Sequence, residues 1–480
     1  MSGSEQFDVV VIGCGPAGER AAIQAARAGR RVVVVERAEV VGGTGVNWGT
    51  IPSKTLRESA LFVHSLTRAR LHGIRYEMGP EISVADFTYR QRLVVQRELE
   101  LINDGLAKSR IEVRRGHGRF LGPHTLALFD EQGWQAGVLE GEIIVIATGS
   151  SPNHPVDVPF GHDCVFDSST ILSLPRMPGS MLVLGAGVVG IEYASIFAAL
   201  GIRVTLVDTR DRLLPYLDRE IVGILERELQ RLGVVIVHDD RYETVQILPE
   251  KPPRVMCRTR KGVNAVTDVL LYCVGRDGNT SDLGLETIGL QPNAYGLLTV
   301  NPGFQTAHPH IYAVGDVIGY PALASTSMEQ GRQAMRQAFG ITSVLPDTEA
   351  LPFAIYSIPE VSYVGATEER LQAQGMPYLV GRGRYEMSAR GQIIGDTEGV
   401  LKLLCDADSG RLLGVHIVGT AASELIHIGQ AYMRSGATVA QIGESLFNYP
   451  TLADLYRHAA LRALADHLRW RVGLSSAARR

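Results

Sequence analysis

The stretch DVVVIGCGPAGERAAIQAARAGRRVVVVER (residues 8–37) decides how this chain is read. Its β-branched run at 9–12 is short, continuous and apolar, the pattern of a strand covered on both faces. Gly13, Gly15 and Gly18 then set a G-x-G-x-x-G turn around Pro16 and Ala17, and an alanine-rich helical pattern closed by Gly29 leads to a second apolar run ending in Glu36 and Arg37. In such a unit the glycines allow a tight turn, a close approach of backbone to a pyrophosphate, and packing of helix on strand. The helix directs its unsatisfied N–H groups at the phosphates, and Glu36 stands where a carboxylate accepts hydrogen bonds from a ribose diol. Cys14, inside the turn, reads as a small residue filling space.

The same unit recurs in MLVLGAGVVGIEYASIFAALGIRVTLVDTR (residues 181–210), with Gly185, Gly187, Val188 and Gly190 in the turn and Asp208 at the end of the second strand. The spacing repeats: 36 − 13 = 23 residues from first glycine to acid in one copy, and 208 − 185 = 23 in the other. Two Rossmann-like dinucleotide modules are therefore encoded, and the fold class is α/β. An acid at position 208 favours a free ribose 2′-hydroxyl, whereas a nearby arginine accepts a 2′-phosphate. Arg210 and Arg212 follow Asp208, so use of both NAD(H) and NADP(H) is expected. Arg212 is the one more easily assigned to a solvated loop.

With 480 residues the chain exceeds one hydrophobic core, and two or three domains are expected. A charge of −4 and the lack of a basic, aromatic-interleaved stripe argue against nucleic acid. No apolar run is long enough to span a bilayer, and no basic segment precedes the first apolar run. The five cysteines, Cys14, Cys164, Cys257, Cys273 and Cys405, show neither a C-x-x-C pair nor metal spacing. His64, His72, His117 and His162 show no ligand spacing either. No metal and a cytoplasmic location are expected. Between the modules lie a helical stretch from Ser53 to about Ser109 and short strands broken by Gly116, Gly118, Gly122 and Pro123. From Leu351 onward, strand runs (VSYVG, VLKLLC, LLGVHIVG) precede helical patterns, which reads as a separate α+β domain. The tail RWRVGLSSAARR reads as a frayed end.

Four further motifs carry a resemblance: GGTGVNWGTIPSK (residues 42–54), ATG (147–149), GAGVVGIE (185–192) and VGD (314–316). In this order and over nearly the whole chain they resemble the pyridine nucleotide disulfide oxidoreductases. The resemblance implies FAD in the first module, a nicotinamide dinucleotide in the second, and a dimer built on the last domain. It divides the chain into an FAD-binding domain in two parts (1–160 and 282–350), an NAD(P)-binding domain (161–281) and a dimerisation domain (351–480). It implies FAD contacts from Gly13, Gly15, Pro16, Ala17, Gly18, Glu36, Arg37, Gly43, Thr44, Thr50, Lys54, Thr148, Gly149 and Asp316, with Gly118 on the adenine side. Gly185, Gly187, Val188, Gly190, Glu192, Asp208 and Arg210 would meet the nicotinamide dinucleotide, with Gly275 and Arg276 toward the nicotinamide. Lys54 and Glu192 resemble the family's ion pair beside flavin N5. Glu424 and His427, one helical turn apart, fall in the dimer region and read as interface or core polar residues.

The departures are as informative. Family members place two redox cysteines where this chain has Gly45 and Thr50, and a histidine where it has Tyr449 in YPTLAD (449–454). A phenol with an ordinary pKa of ~10 is a poor proton shuttle at neutral pH. Dithiol substrates are thus disfavoured twice. NWGTIPSK, TRDRLLPYLD, QTAHPHIYAVGDVIGYPALAS and FNYPTLAD resemble the soluble transhydrogenase branch, which implies hydride transfer from NADPH to NAD+ by alternation at one site through FAD. Two alternatives remain at this point: an NAD(P)H dehydrogenase serving a quinone or other small acceptor, and a non-catalytic FAD-containing binding protein.

Overall fold

A computed structural model describes residues 4–67, 71, 73–75, 82–342 and 350–477; His72 lies outside them. Contacts group the chain into two compact units: Met1–Leu56, Ile82–Met177 and Cys273–Leu345 form the first, and Arg57–Glu81, Pro178–Tyr272 and Pro346–Arg480 the second.

The first unit is organised on parallel strands. Glu5–Ile12 lies between Val32–Glu36 and Gln135–Ile146, pairing Val9 with Val32 on one side and with Ile143 on the other; Glu112–Arg115 extends one edge. Ile311–Ala313 pairs in parallel with the end of Gln135–Ile146, whose beginning turns into an antiparallel meander with Thr125–Phe129 and His117–Gly122. Successive strand residues face opposite sides, so Val9, Val11, Val32 and Val34 join one core with Ala21, Ala22 and Ala25 of helix Pro16–Arg27. Val10, Ile12, Val33 and Val35 join a second core with Phe120 and Leu126. Each of these valines is almost wholly buried, a gain of about 1.5–3 kcal/mol apiece before conformational entropy is set against it. The continuous apolar run of the sequence thus reflects a sheet with two dry faces.

The second unit repeats the module. Ser180–Leu184, Arg203–Val207, Val235–Val237 and Val269–Tyr272 run parallel, with Ser180–Leu184 central and helix Val188–Ala199 crossing over. An antiparallel meander of Tyr242–Leu248, Arg254–Thr259 and Asn264–Thr267 follows Val235–Val237 in the chain. The last part is a five-stranded antiparallel sheet, ordered Phe353–Ile355, Val361–Gly365, Leu412–Val418, Val400–Asp406, Tyr378–Arg384. Helices Ala422–Arg434 and Leu455–Ala477 contribute Leu425, Ile426, Tyr456 and Ala459 to the core beneath it.

Two expectations change. The single helical stretch resolves into helices Thr50–Thr67 and Val84–Lys108, the second opened by a capping box at Ser83 and Asp86. The basic tail is helical in its described part: the last helix continues to Ala477, with Arg469 paired to Asp466 and Trp470 Nε1 donating to Asp408, while residues 478–480 lie outside the described residues.

Candidate functional site

The first glycine turn has the geometry its spacing implies. A Cβ on Gly18 would lie 1.9 Å from the carbonyl oxygen of Gly13, so only glycine lets the helix start this close to the strand end. Glu36 is buried at the end of its strand, where its two oxygens accept from Cys14 N (2.7 Å) and Ala38 N (2.8 Å). The carboxylate therefore ties the turn to the strand as well as facing the cleft.

That cleft encloses about 450 Å³ and lies within the first unit. Gly13, Gly15, Pro16, Ala17, Glu36, Arg37, Gly43, Thr44, Thr50, Gly118, Thr148, Gly149 and Asp316 all line it. Gly18 sits under the turn, and Lys54 follows one turn after Thr50 on its helix with Nζ 3.4 Å from Ser53 Oγ. Asp316 Oδ2 accepts from Ser150 Oγ (2.9 Å), which in turn accepts from Arg276 Nε (2.9 Å). Arg276, expected toward the nicotinamide, also donates from Nη2 to Ser150 O (2.6 Å), and its strand Arg276–Gly278 pairs with Ser150–Pro152. Gly275 accepts from Asn153 N at 3.2 Å. Ser150, Asn279 and Trp48 also line the cleft and were not singled out from sequence. Asn279 donates to Thr148 O (2.9 Å) and accepts from Ser151 Oγ (2.8 Å), holding the 148–151 turn from 128 residues away.

The second turn is a structural copy. A Cβ on Gly190 would lie 1.9 Å from Gly185 O; Asp208 accepts from Ala186 N (2.6 Å) and Arg210 N (2.9 Å), as Glu36 does from Cys14 and Ala38. The difference is Arg210, whose Nε and Nη2 fork onto the same carboxylate at 2.8 and 2.7 Å. Burial acts to raise the Asp208 carboxyl, but hydrogen bonds from the Arg210 side chain, Arg210 N and Ala186 N outweigh it and the net shift is downward. Arg212 turns elsewhere, to Pro215 O and toward Glu369 at 4.0 Å. Gly187 caps helix Val188–Ala199, and Val188 is its first residue. Glu192 on that helix is buried and accepts from Tyr356 N at 2.8 Å.

Residues 7–331 match the pyridine nucleotide-disulphide oxidoreductase family, and residues 351–460 match its dimerisation domain. The chain belongs to this family. It is 45% identical over 456 residues to a soluble pyridine nucleotide transhydrogenase of Mycobacterium tuberculosis, covering 95% of this chain and 97% of the relative. It is 41% identical over 467 residues to one of Escherichia coli, covering 97% and 99%. Among solved structures it is similar to LpdA of M. tuberculosis (TM-score 0.87) and to the HOCl-induced flavoprotein disulfide reductase RclA of E. coli (TM-score 0.84). Each of these two is 27% identical, with 95% of this chain and 99% of the other covered.

Set against that family, the thiol positions are empty of sulfur. Gly45 and Thr50 line the cleft, and all five cysteines are unpaired. Burial raises all five thiols, Cys257 to about 11 and Cys405 to about 12, which disfavours a thiolate at each. Tyr449 is 72% exposed, and Asp454 of the same motif pairs with His458 at 3.2 Å. His117 lines the cleft, its Nε2 on Asp282 O at 2.8 Å, while Glu424 and His427 are both exposed on this protomer. Among the described residues no helix is long and apolar enough to cross a membrane.

Proposed function

We propose that this chain transfers hydride from NADPH to NAD+ through FAD held in the first unit's cleft, without a dithiol step. The observation that carries the reading is the pairing of two intact dinucleotide turns with Gly45 and Thr50 at the thiol positions. The transhydrogenase relatives, matched over nearly their whole length, support it.

The cleft fits FAD on its own chemistry. Thr148 Oγ1 is buried with no protein partner among the described residues, an arrangement that calls for a polar ligand. The N-terminus of helix Pro16–Arg27 would meet the pyrophosphate and Glu36 the adenosine ribose, while Thr50, Thr148, Gly149 and Asp316, which line the same cleft, would meet the flavin end. FAD bound there supplies a two-electron carrier that takes hydride from one nicotinamide and returns it to another. The protein binds, orients and excludes competing partners. Lys54, by the same resemblance, holds charge near the flavin ring, and Glu192 is kept in place by Tyr356 N.

In the second unit, Asp208 and Arg210 form one neutral fork. A dinucleotide with a free 2′-hydroxyl meets the carboxylate; one with a 2′-phosphate draws the guanidinium, which suits a phosphate bidentately. One site then serves both substrates. We read residues 351–460 as the surface of a homodimer, and five unpaired, mostly buried cysteines suit the reducing cytoplasm.

The test is anaerobic. NADPH should bleach the flavin, the bleached enzyme should reduce an NAD+ analogue, and reductive titration should consume two electrons per protomer. Turnover with a quinone alone, or uptake of four electrons, refutes the reading.

A further inference from the structure

Asp208 begins, and Asp218 ends, a loop without regular structure that carries Arg210. Its interior is dry: Leu213, Leu214 and Leu217 are at most 1% exposed. Leu214 has φ +42, a left-handed conformation that a bulky side chain adopts only when its surroundings impose it. The path of this loop is therefore set from outside. At its near end Asp208 is bonded to the glycine turn. At its far end Asp218 caps helix Arg219–Arg231, accepting from Glu220 N at 3.1 Å.

The far anchor is a lysine with no exposure at all. Lys402, on strand Val400–Asp406, puts Nζ 2.8 Å from both oxygens of Asp218, 3.0 Å from Glu220 and in contact with Glu368. Arg382 on the neighbouring strand forks onto Glu220 at 2.7 and 2.9 Å. Three carboxylates this close resemble a metal site, but the ammonium occupies their centre. His416, directly across the sheet from Lys402, is held by Ala366 O at 2.8 Å, and burial lowers its pKa. Burial also works against the Lys402 charge, but its bonds to Asp218 and Glu368 prevail and its pKa is raised. A second contact lies between the anchors: Tyr216 packs on Tyr363 with ring centroids 6.3 Å apart.

We infer that Lys402 is a positioning residue for dinucleotide choice, its buried ammonium fixing the far end of the loop that presents Arg210. The inference rests on the reading that Arg210 meets the 2′-phosphate. It explains why a charged residue sits inside the apolar run VLKLLC of a core strand, where an apolar side chain would satisfy packing.

The experiment compares Lys402→Met, Glu368→Gln and Arg210→Ala holoenzymes. Calorimetry measures binding of 2′,5′-ADP and 5′-ADP, and anaerobic flavin bleaching gives half-saturating NADPH and NADH. Lys402→Met should weaken 2′,5′-ADP and raise half-saturating NADPH about tenfold, the loss of one well-placed charge-assisted contact. Binding of 5′-ADP, half-saturating NADH and the limiting bleaching rate should stay within about twofold. Glu368→Gln should shift the same quantities in the same direction by about threefold, and it decides the matter if Lys402→Met fails to fold. Equal weakening of both nucleotides, or no change in either, overturns the inference and leaves Lys402 as a structural ion cluster. If Arg210→Ala itself leaves NADPH unaffected, the reading of Arg210 fails first, and that outcome is distinct.

Discussion

An added Cβ at Gly45 would stand 2.9 Å from Cγ of Pro16, the first residue of the helix beneath the FAD cleft. The family's cysteine position is therefore closed by packing as well as lacking sulfur. Gly45→Ala should cost about 1–3 kcal/mol as overpacking, read as a lower melting temperature of the FAD-loaded protein. Thr148 gives the opposite sign. Its orphaned hydroxyl costs the FAD-free protein about 1–3 kcal/mol, so Thr148→Val should melt higher without FAD yet retain FAD less tightly in equilibrium dialysis. A lower FAD-free melting point would show that the hydroxyl has a partner in the protein. At this scale the sequence was clearest where spacing alone sets the role, as for Glu36 and Asp208. It was silent where the role comes from contacts across the fold: Asn279 reaches Thr148 and Ser151 with no local pattern to announce it, and Arg276, singled out for the nicotinamide end, is bonded to Ser150, a partner its own neighbourhood does not reveal. Lys402 did leave a signal, one charge inside a six-residue apolar run.

Helix Arg219–Arg231 shows what an element adds beyond its residues. Its propensity is good, with a buried stripe at Ile221, Val222, Ile224, Leu225 and Leu229, but its start is set by Asp218 as cap and by the Lys402 cluster. Replacing Asp218 by Ala removes a cap worth about 1 kcal/mol and one of the three carboxylates around a buried ammonium, so the melting temperature should fall by more than loss of the cap alone would cause. The same cluster is sensitive to acid. Burial pushes Glu220 up, yet bonds from Arg382 and Lys402 carry its carboxyl below the ordinary glutamate value. A depressed folded-state pKa gives stability that is present above the unfolded value, ~4.3, and is lost as pH falls through the folded one. Glu220→Gln should therefore show a shallower loss of melting temperature below about pH 4.3 than the parent; parallel acid limbs would remove the cluster from acid sensitivity. Strands were legible as elements because two dry faces leave continuous apolar runs. The meander at Tyr242–Leu248, Arg254–Thr259 and Asn264–Thr267 was not, since its half-exposed strands alternate too weakly to stand out. The helical part of the tail was hidden from the sequence because the Trp470 bond to Asp408 that supports it reaches 62 residues back.

The whole molecule carries two dinucleotide turns and no thiol pair, and that count fixes its kinetics. On the proposed reading one turn holds FAD, and NADPH and NAD+ then take turns at the other, around the Asp208–Arg210 fork. Neither dinucleotide needs the other present to react, and double-reciprocal plots should be parallel. High NADPH should then inhibit competitively with NAD+, because both seek the same turn while the carrier is already loaded. The fork adds a refinement: Arg210→Ala should relieve this inhibition by raising the NADPH concentration it requires about tenfold or more, while half-saturation by NAD+ moves little. Intersecting plots, with NADPH inhibition that NAD+ cannot reverse, would mean that two nicotinamide sites are filled at once, which one remaining turn per protomer does not provide.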